Sequence, residues 1–277
     1  MRFVLQRDRV FQILEGVYML QIKRNFKIFL MSVILGGFVF AEAIPNLSVA
    51  VDVAGKQRMF TQRMLKDYAM IGLNNTFGNP KKDLQDTMKA FEDHLNQLIA
   101  FNKDKETAQS LEKVKKMWMP IKAALKEEYS KDKAAKLQED LEALLKQANE
   151  AVGLFAKQTG KVSGKIINIS GRQRMLSQRM ASLYMLKALG INDPKFQAKM
   201  QDAMKLFKTS LDTLMASKMT TPEIMQLLEK AKKSFMFFEV MKNSKHFITA
   251  LIYKKSNEIL KAMNTATGLY AAQEAKK

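Results

Sequence analysis

The chain has no cysteine, which excludes disulfide frameworks, thiolate metal sites and thiol catalysis. Glycine and proline are scarce, 12 and 5 in 277 residues, so a turn-rich β architecture is disfavoured. Histidine occurs twice, as His94 and His246, far apart in sequence and each within a helical pattern. Neither has a Glu three residues before it, which excludes the Glu-x-x-His pattern of di-metal bundles. No nucleophile and base pair, Gly-rich phosphate loop or metal-ligand spacing stands out, so the expectation is a non-enzyme with no metal and no cofactor. No apolar run reaches the 18 residues of a membrane-spanning helix.

What is present is helix-forming and basic. Hydrophobic residues make up 47% of the chain, enough for packed cores, and Lys, Leu, Ala, Met and Gln abound, which predicts an all-α fold. The formal charge is +19, from 46 Lys and Arg against 27 Asp and Glu, so an anionic partner is expected. No nucleic-acid motif accompanies that charge, and Phe and Tyr fall mostly at helix-core spacing; nucleic acid is not the expected anion.

Lys23-Arg24-Asn25-Phe26-Lys27 followed by the 13-residue apolar run Ile28 to Phe40 has the basic and apolar regions of a secretory signal. Cleavage after Ala41 or after Ala43 fits the small-residue rule. Residues 1–43 are thus expected to be a signal peptide for periplasmic export, with Met19 the more normal start; the alternative is an uncleaved N-terminal membrane anchor. These residues carry six basic and three acidic residues, leaving 40 against 24, still +16, in the remainder. No second membrane pass and no cytoplasmic output region is expected in the chain.

The strongest feature is an internal repeat. VDVAGKQRMFTQRMLKDYAM from Val51 aligns without a gap to INISGRQRMLSQRMASLYML from Ile167, at an offset of 116. Further matches join Asn79-Pro80 with Asp193-Pro194, Met88 to Phe91 with Met204 to Phe207, and Asn149-Glu150 with Asn257-Glu258. The expected modules are residues 44–160 and 161–277, each an antiparallel four-helix bundle. Helices are predicted near 46–74, 80–102, 106–130 and 132–159, then 162–190, 194–217, 222–243 and 245–270. Asn79-Pro80, Asp193-Pro194 and Thr221-Pro222 supply a capping side chain before a proline at the first helical position. Pro120 is expected to kink the third helix. With Gly160 and Gly164 at the junction but little loop chemistry, the fourth helix is expected to run nearly straight into the fifth.

On the repeated helix, Val53, Gln57, Phe60, Met64, Tyr68 and Ile71 form one stripe, matched by Ile169, Gln173, Leu176, Met180 and Tyr184. Gln57 and Gln173 place an amide among apolar side chains, where an amide needs a partner. Arg58 with Gln62 lies on one flank and Met59 with Arg63 on the other; Arg174 with Gln178, and Met175 with Arg179, repeat this. Gly55 and Gly171 would let a helix or ligand come close. The candidate ligand-binding set is therefore Gly55, Gln57, Arg58, Gln62 and Arg63 with Gly171, Gln173, Arg174, Gln178 and Arg179. The alternative is structural, with the arginines in salt bridges or lying along the surface with packed stems.

GKQRMFTQRM and GRQRMLSQRM resemble the signature helix of the ligand-sensing domain shared by the nitrate and nitrite sensor kinase NarX and the type IV pilus chemotaxis-like receptor PilJ, and the PilJ form more closely. The resemblance spans both repeats, essentially residues 46 to 270. It implies a periplasmic four-helix sensory bundle in which the Arg at the positions of Arg58 and Arg174 binds an anion at a two-fold interface. The nitrate sensor has a Gly-Ser-Leu-Arg-Met type of sequence, whereas both copies here carry Gln before the Arg and a second Gln-Arg pair, so ligand identity stays open. The expected partners are a small anion, nitrate or nitrite among the candidates, and a membrane-bound receptor or kinase. A homodimer is a further expectation: Arg58 and Arg174 would face each other through copy-to-copy or chain-to-chain pairing. The competing reading is an envelope interaction module that binds a protein or an anionic surface through its basic faces.

Overall fold

Capping chemistry sets most helix starts. In a computed structural model describing residues 43–160, 162–191, 193–242, 244 and 246–275, Asn46 Oδ1 accepts from the Val49 amide at 3.0 Å and opens α1, Leu47–Gly72. Asn79 and Asp104 cap α2, Pro80–Phe101, and α3, Lys105–Lys126. Ser130 caps α4, Lys131–Gln158. After α5, Val162–Ala188, Asp193 and Thr221 cap α6, Pro194–Met215, and α7, Pro222–Met241; α8 is Thr249–Ala275. Ser130→Ala removes the acceptor for the Lys133 amide and is expected to lower unfolding free energy by about 1 kcal/mol, read by urea denaturation.

The described residues contain helices and no strand, so the fold is all-α. The third helix ends at Lys126, earlier than expected, and runs unbroken through Pro120; the eighth starts at Thr249 and extends to Ala275. The signal-like segment of residues 1–42 lies outside the described residues.

Within each copy the helices pack in a ring, α1 on α2 and α4, with α3 closing between them, and α5 on α6 and α8, with α7 closing. Ring pairs repeat across the copies: Phe91 and Trp118 at 4.6 Å, Phe207 and Phe235 at 4.6 Å. All four rings are buried, the apolar centres of two four-helix bundles.

The most extensive helix contact joins the copies, α1 against α5. Asp52 meets Arg174, Gln62 meets Ser182 and Lys66 meets Gln178, at sequence separations of 122, 120 and 112 residues. These bracket the repeat offset, so the two signature helices lie parallel and in register. The chain therefore carries an internal pseudo-two-fold. That register corrects the expectation of a straight α4 to α5 passage. Arg58 meets Asn149 and Tyr68 meets Tyr129, which makes α4 antiparallel to α1. The chain must then reverse between α4 and α5, and it does so at Gly160, whose φ of 62° is a conformation side-chain-bearing residues avoid.

Candidate functional site

The seam between α1 and α5 buries the signature. Gln57 donates from Nε2 to the Phe91 carbonyl at 3.0 Å, and Gln173 donates to the Phe207 carbonyl at 3.0 Å. The amides thus tie each signature helix to the next helix of its own copy, away from the seam. Arg63 pairs with Asp83 on α2, and Arg179 with Glu142 on α4. Both are half-buried ion pairs, and they match the structural reading.

Arg58 and Arg174 behave differently. Both are essentially buried, 1% and 0% exposed, and they converge. A Cβ on Gly171 would sit 3.0 Å from Arg174 Nη2 and 3.6 Å from Arg58 Nη2; on Gly55, 3.1 Å and 3.4 Å. The glycines therefore make room for two guanidiniums rather than for backbone contact, and each guanidinium reaches both helices. Gln62 and Gln178 lie one turn further along the same seam, where Gln62 accepts from Ser182 and Gln178 from Lys66.

The two arginines have unequal partners. Arg174 donates from Nη1 to Asp52 Oδ1 at 2.7 Å and to Asn264 Oδ1 at 3.1 Å, and from Nη2 to the Asp52 carbonyl at 3.2 Å. Burial acts to raise the Asp52 carboxyl, but the Arg174 and Lys56 charges outweigh it and hold it below the usual range. Arg58 donates from Nη1 to Asn149 Oδ1 at 2.8 Å, while its Nε and Nη2 find no hydrogen-bond partner among the described residues. Burial foremost, then the charges of Arg172 and Arg174, bring the Arg58 guanidinium down to about 9.

Asn149 and Asn264 hold equivalent arginines, which corrects the end of the repeat. Leu144-Leu145-Lys146 aligns with Ile259-Leu260-Lys261 and Gly153 with Gly268, so Asn149 matches Asn264 and not Asn257. Asn257 instead accepts from Lys66 at 2.8 Å.

Lys66 belongs to a second buried cluster that the residue pattern did not single out. Its Nζ, fully buried, donates to Gln178 Oε1 at 2.9 Å, lies over the Tyr253 ring at 4.0 Å and stands 3.5 Å from Asp67 Oδ1. Asp67 is also fully buried, and neither carboxylate oxygen has a hydrogen-bond partner among the described residues. In copy two the same positions are Ser182 and Leu183. The departure from the repeat was the signal available in the sequence: an adjacent Lys-Asp pair where the duplicate has Ser-Leu.

Of the two histidines, His94 is half-buried against Phe60, ring centroids 5.2 Å apart, and burial pushes its imidazole down to about 4; His246 is exposed. Among the described residues no three His, Cys, Asp or Glu side chains gather to hold a metal ion, and no helix is long and apolar enough to cross a membrane.

Paired four-helix bundles with signature helices in parallel register, and an arginine from each at the seam, define a duplicated helical-bundle module. A family model described as PilJ, the type IV pili methyl-accepting chemotaxis transducer N-term, matches residues 44–152 and 155–233. The chain belongs to that family. No curated protein and no solved structure matches it. The family is one of sensory domains of chemotaxis transducers, non-catalytic and working in a membrane-associated signalling context.

Proposed function

We propose that the protein is an exported periplasmic sensor for a small anion, held between Arg58 and Arg174 at the α1–α5 seam, which passes its state to a membrane-bound receptor or kinase. The observation that carries this reading is the convergence of two buried guanidiniums on one glycine-lined point, with Arg58 Nε and Nη2 left without a hydrogen-bond partner among the described residues. A planar oxyanion such as nitrate or nitrite suits the flat guanidinium fork, and each charge-assisted hydrogen bond contributes roughly 1.5 to 3 kcal/mol. The anion would also relieve repulsion between the two cations. Because the seam is closed to solvent, entry requires α1 and α5 to part or slide, and that motion is the signal. Gly55 and Gly171 shape the point, Gln62 and Gln178 border it, and Gln57, Gln173, Arg63 and Arg179 hold the helices in place. The basic remainder of the chain would attract anions to the surface.

Calorimetry and thermal shift with nitrate, nitrite and a panel of small anions at fixed ionic strength test it. One anion is expected to bind saturably, and Arg58→Ala to weaken it at least tenfold with the fold intact. Binding unaffected by Arg58→Ala, or no binding beyond the general salt effect, sinks the reading and favours a protein-binding module of the envelope.

A further inference from the structure

The internal two-fold is broken at one charged position in the seam. Gly55, Gln57, Arg58, Gln62 and Asn149 have identical counterparts in Gly171, Gln173, Arg174, Gln178 and Asn264, but the counterpart of Asp52 is Asn168. Asp52 is the residue whose carboxylate neutralises Arg174. The symmetry that carries Arg174 onto Arg58 carries Asp52 onto Asn168, an uncharged amide whose Oδ1 is buried without a hydrogen-bond partner among the described residues.

Resting on the anion-sensor reading, we infer that Asp52 is a tethered anion filling one half of a two-fold site, so that each chain takes a single monovalent oxyanion at Arg58, beside Asn168. Three observations converge on it. Every nitrogen of Arg174 has a partner: Nη1 the Asp52 carboxylate at 2.7 Å and the Asn264 amide oxygen at 3.1 Å, Nη2 the Asp52 carbonyl at 3.2 Å and Nε the Gly171 carbonyl at 3.4 Å. Among the described residues Arg58 has only the Asn149 amide oxygen, at 2.8 Å. The residue that would complete Arg58 by symmetry has the shape of Asp52 without its charge, and its amide can present N–H to an oxyanion where a carboxylate would repel one. Charge count then sets ligand class. Among the buried groups, two guanidiniums and one carboxylate leave one net positive charge, with Lys56, 3.2 Å from Asp52, and Arg172 adding positive charge at the rim; one monoanion cancels the buried excess and a dianion overshoots it.

The inference makes the Asn at position 168, where copy one carries Asp52, the difference that leaves Arg58 open to a ligand. It also separates the roles of the arginines: Arg58 is the ligand-binding residue, and Arg174 is a positioning residue held by Asp52.

Moving the charge tests this. In the full chain, Asn168→Asp, Asp52→Asn and the double swap are compared by thermal midpoint at low salt and by calorimetric titration with sodium nitrate and sodium sulfate. Asn168→Asp supplies a counter-ion to Arg58, so its midpoint is expected to rise by several degrees and any nitrate affinity to fall at least tenfold. Asp52→Asn lowers the midpoint and raises sulfate affinity relative to nitrate at least tenfold. The double swap returns the midpoint to near that of the wild type and restores one nitrate per chain, now at Arg174. A midpoint that falls in Asn168→Asp as far as in Asp52→Asn, or a double swap no better than Asp52→Asn alone, overturns the inference. If the wild type binds neither probe, the sensor reading fails, while the midpoints still decide whether Asp52 and Asn168 exchange as a counter-ion position.

Discussion

Arg174→Met is expected to destabilise the protein by about 3–5 kcal/mol, toward the lower end, whereas Arg58→Met should be neutral or stabilising. The side chains are the same, the burial is the same and the helices are related by two-fold symmetry, so the difference isolates the counter-ion. Removing Arg174 strands the Asp52 carboxylate in a site where it is 9% exposed; Lys56, 3.2 Å away, remains to compensate part of the loss. Removing Arg58 deletes a buried cation whose only hydrogen bond among the described residues is to Asn149, and Met refills the space of the stem. Urea denaturation midpoints at constant m-value decide it. Equal losses in both variants would mean that burial of the stem, and not the charge pairing, sets the cost.

Lys66→Met should be the other costly change, and its cost should depend on pH. The Lys66 ammonium is the nearest opposite charge to Asp67, while Arg63 on α1 stands 4.0 Å from that carboxylate and Asp83 on α2 and Tyr253 on α8 close the cluster. Burial raises the Asp67 carboxyl to about 7 even with Lys66 present, and burial likewise lowers the Lys66 ammonium. A carboxyl raised in the folded state favours folding in its protonated form, so its contribution is whole below its unfolded value and is lost as pH rises through the folded one. Without Lys66 that loss deepens. The variant should be less stable than the wild type by about 3–5 kcal/mol at pH 8, with the gap closing toward pH 5, where Asp67 is neutral. Denaturation at several pH values reads this directly; a gap independent of pH would mean that Asp67 is not the group left unpaired. Adding Asp67→Leu, which reproduces the Leu183 of copy two, should recover most of the stability at pH 8.

The repeat, the helices and their buried stripes were legible because they are local. An offset of 116 survives as residue identity, and a helix announces itself through spacing of three and four and through a capping side chain before a proline. The flanks were legible too, since helical spacing puts Arg58 and Gln62 on one and Arg63 on the other. Which flank would meet the second copy was not, because that depends on how two whole bundles pack. Tertiary structure decided that α1 and α5 run parallel in register, that Gly160 reverses the chain, and that Arg58 and Arg174 meet while Arg63 and Arg179 part to Asp83 and Glu142. It also decided the charge balance of the site. Asp52 stands six residues before Arg58 but neutralises Arg174, 122 residues away, and no spacing rule within one helix reaches that far.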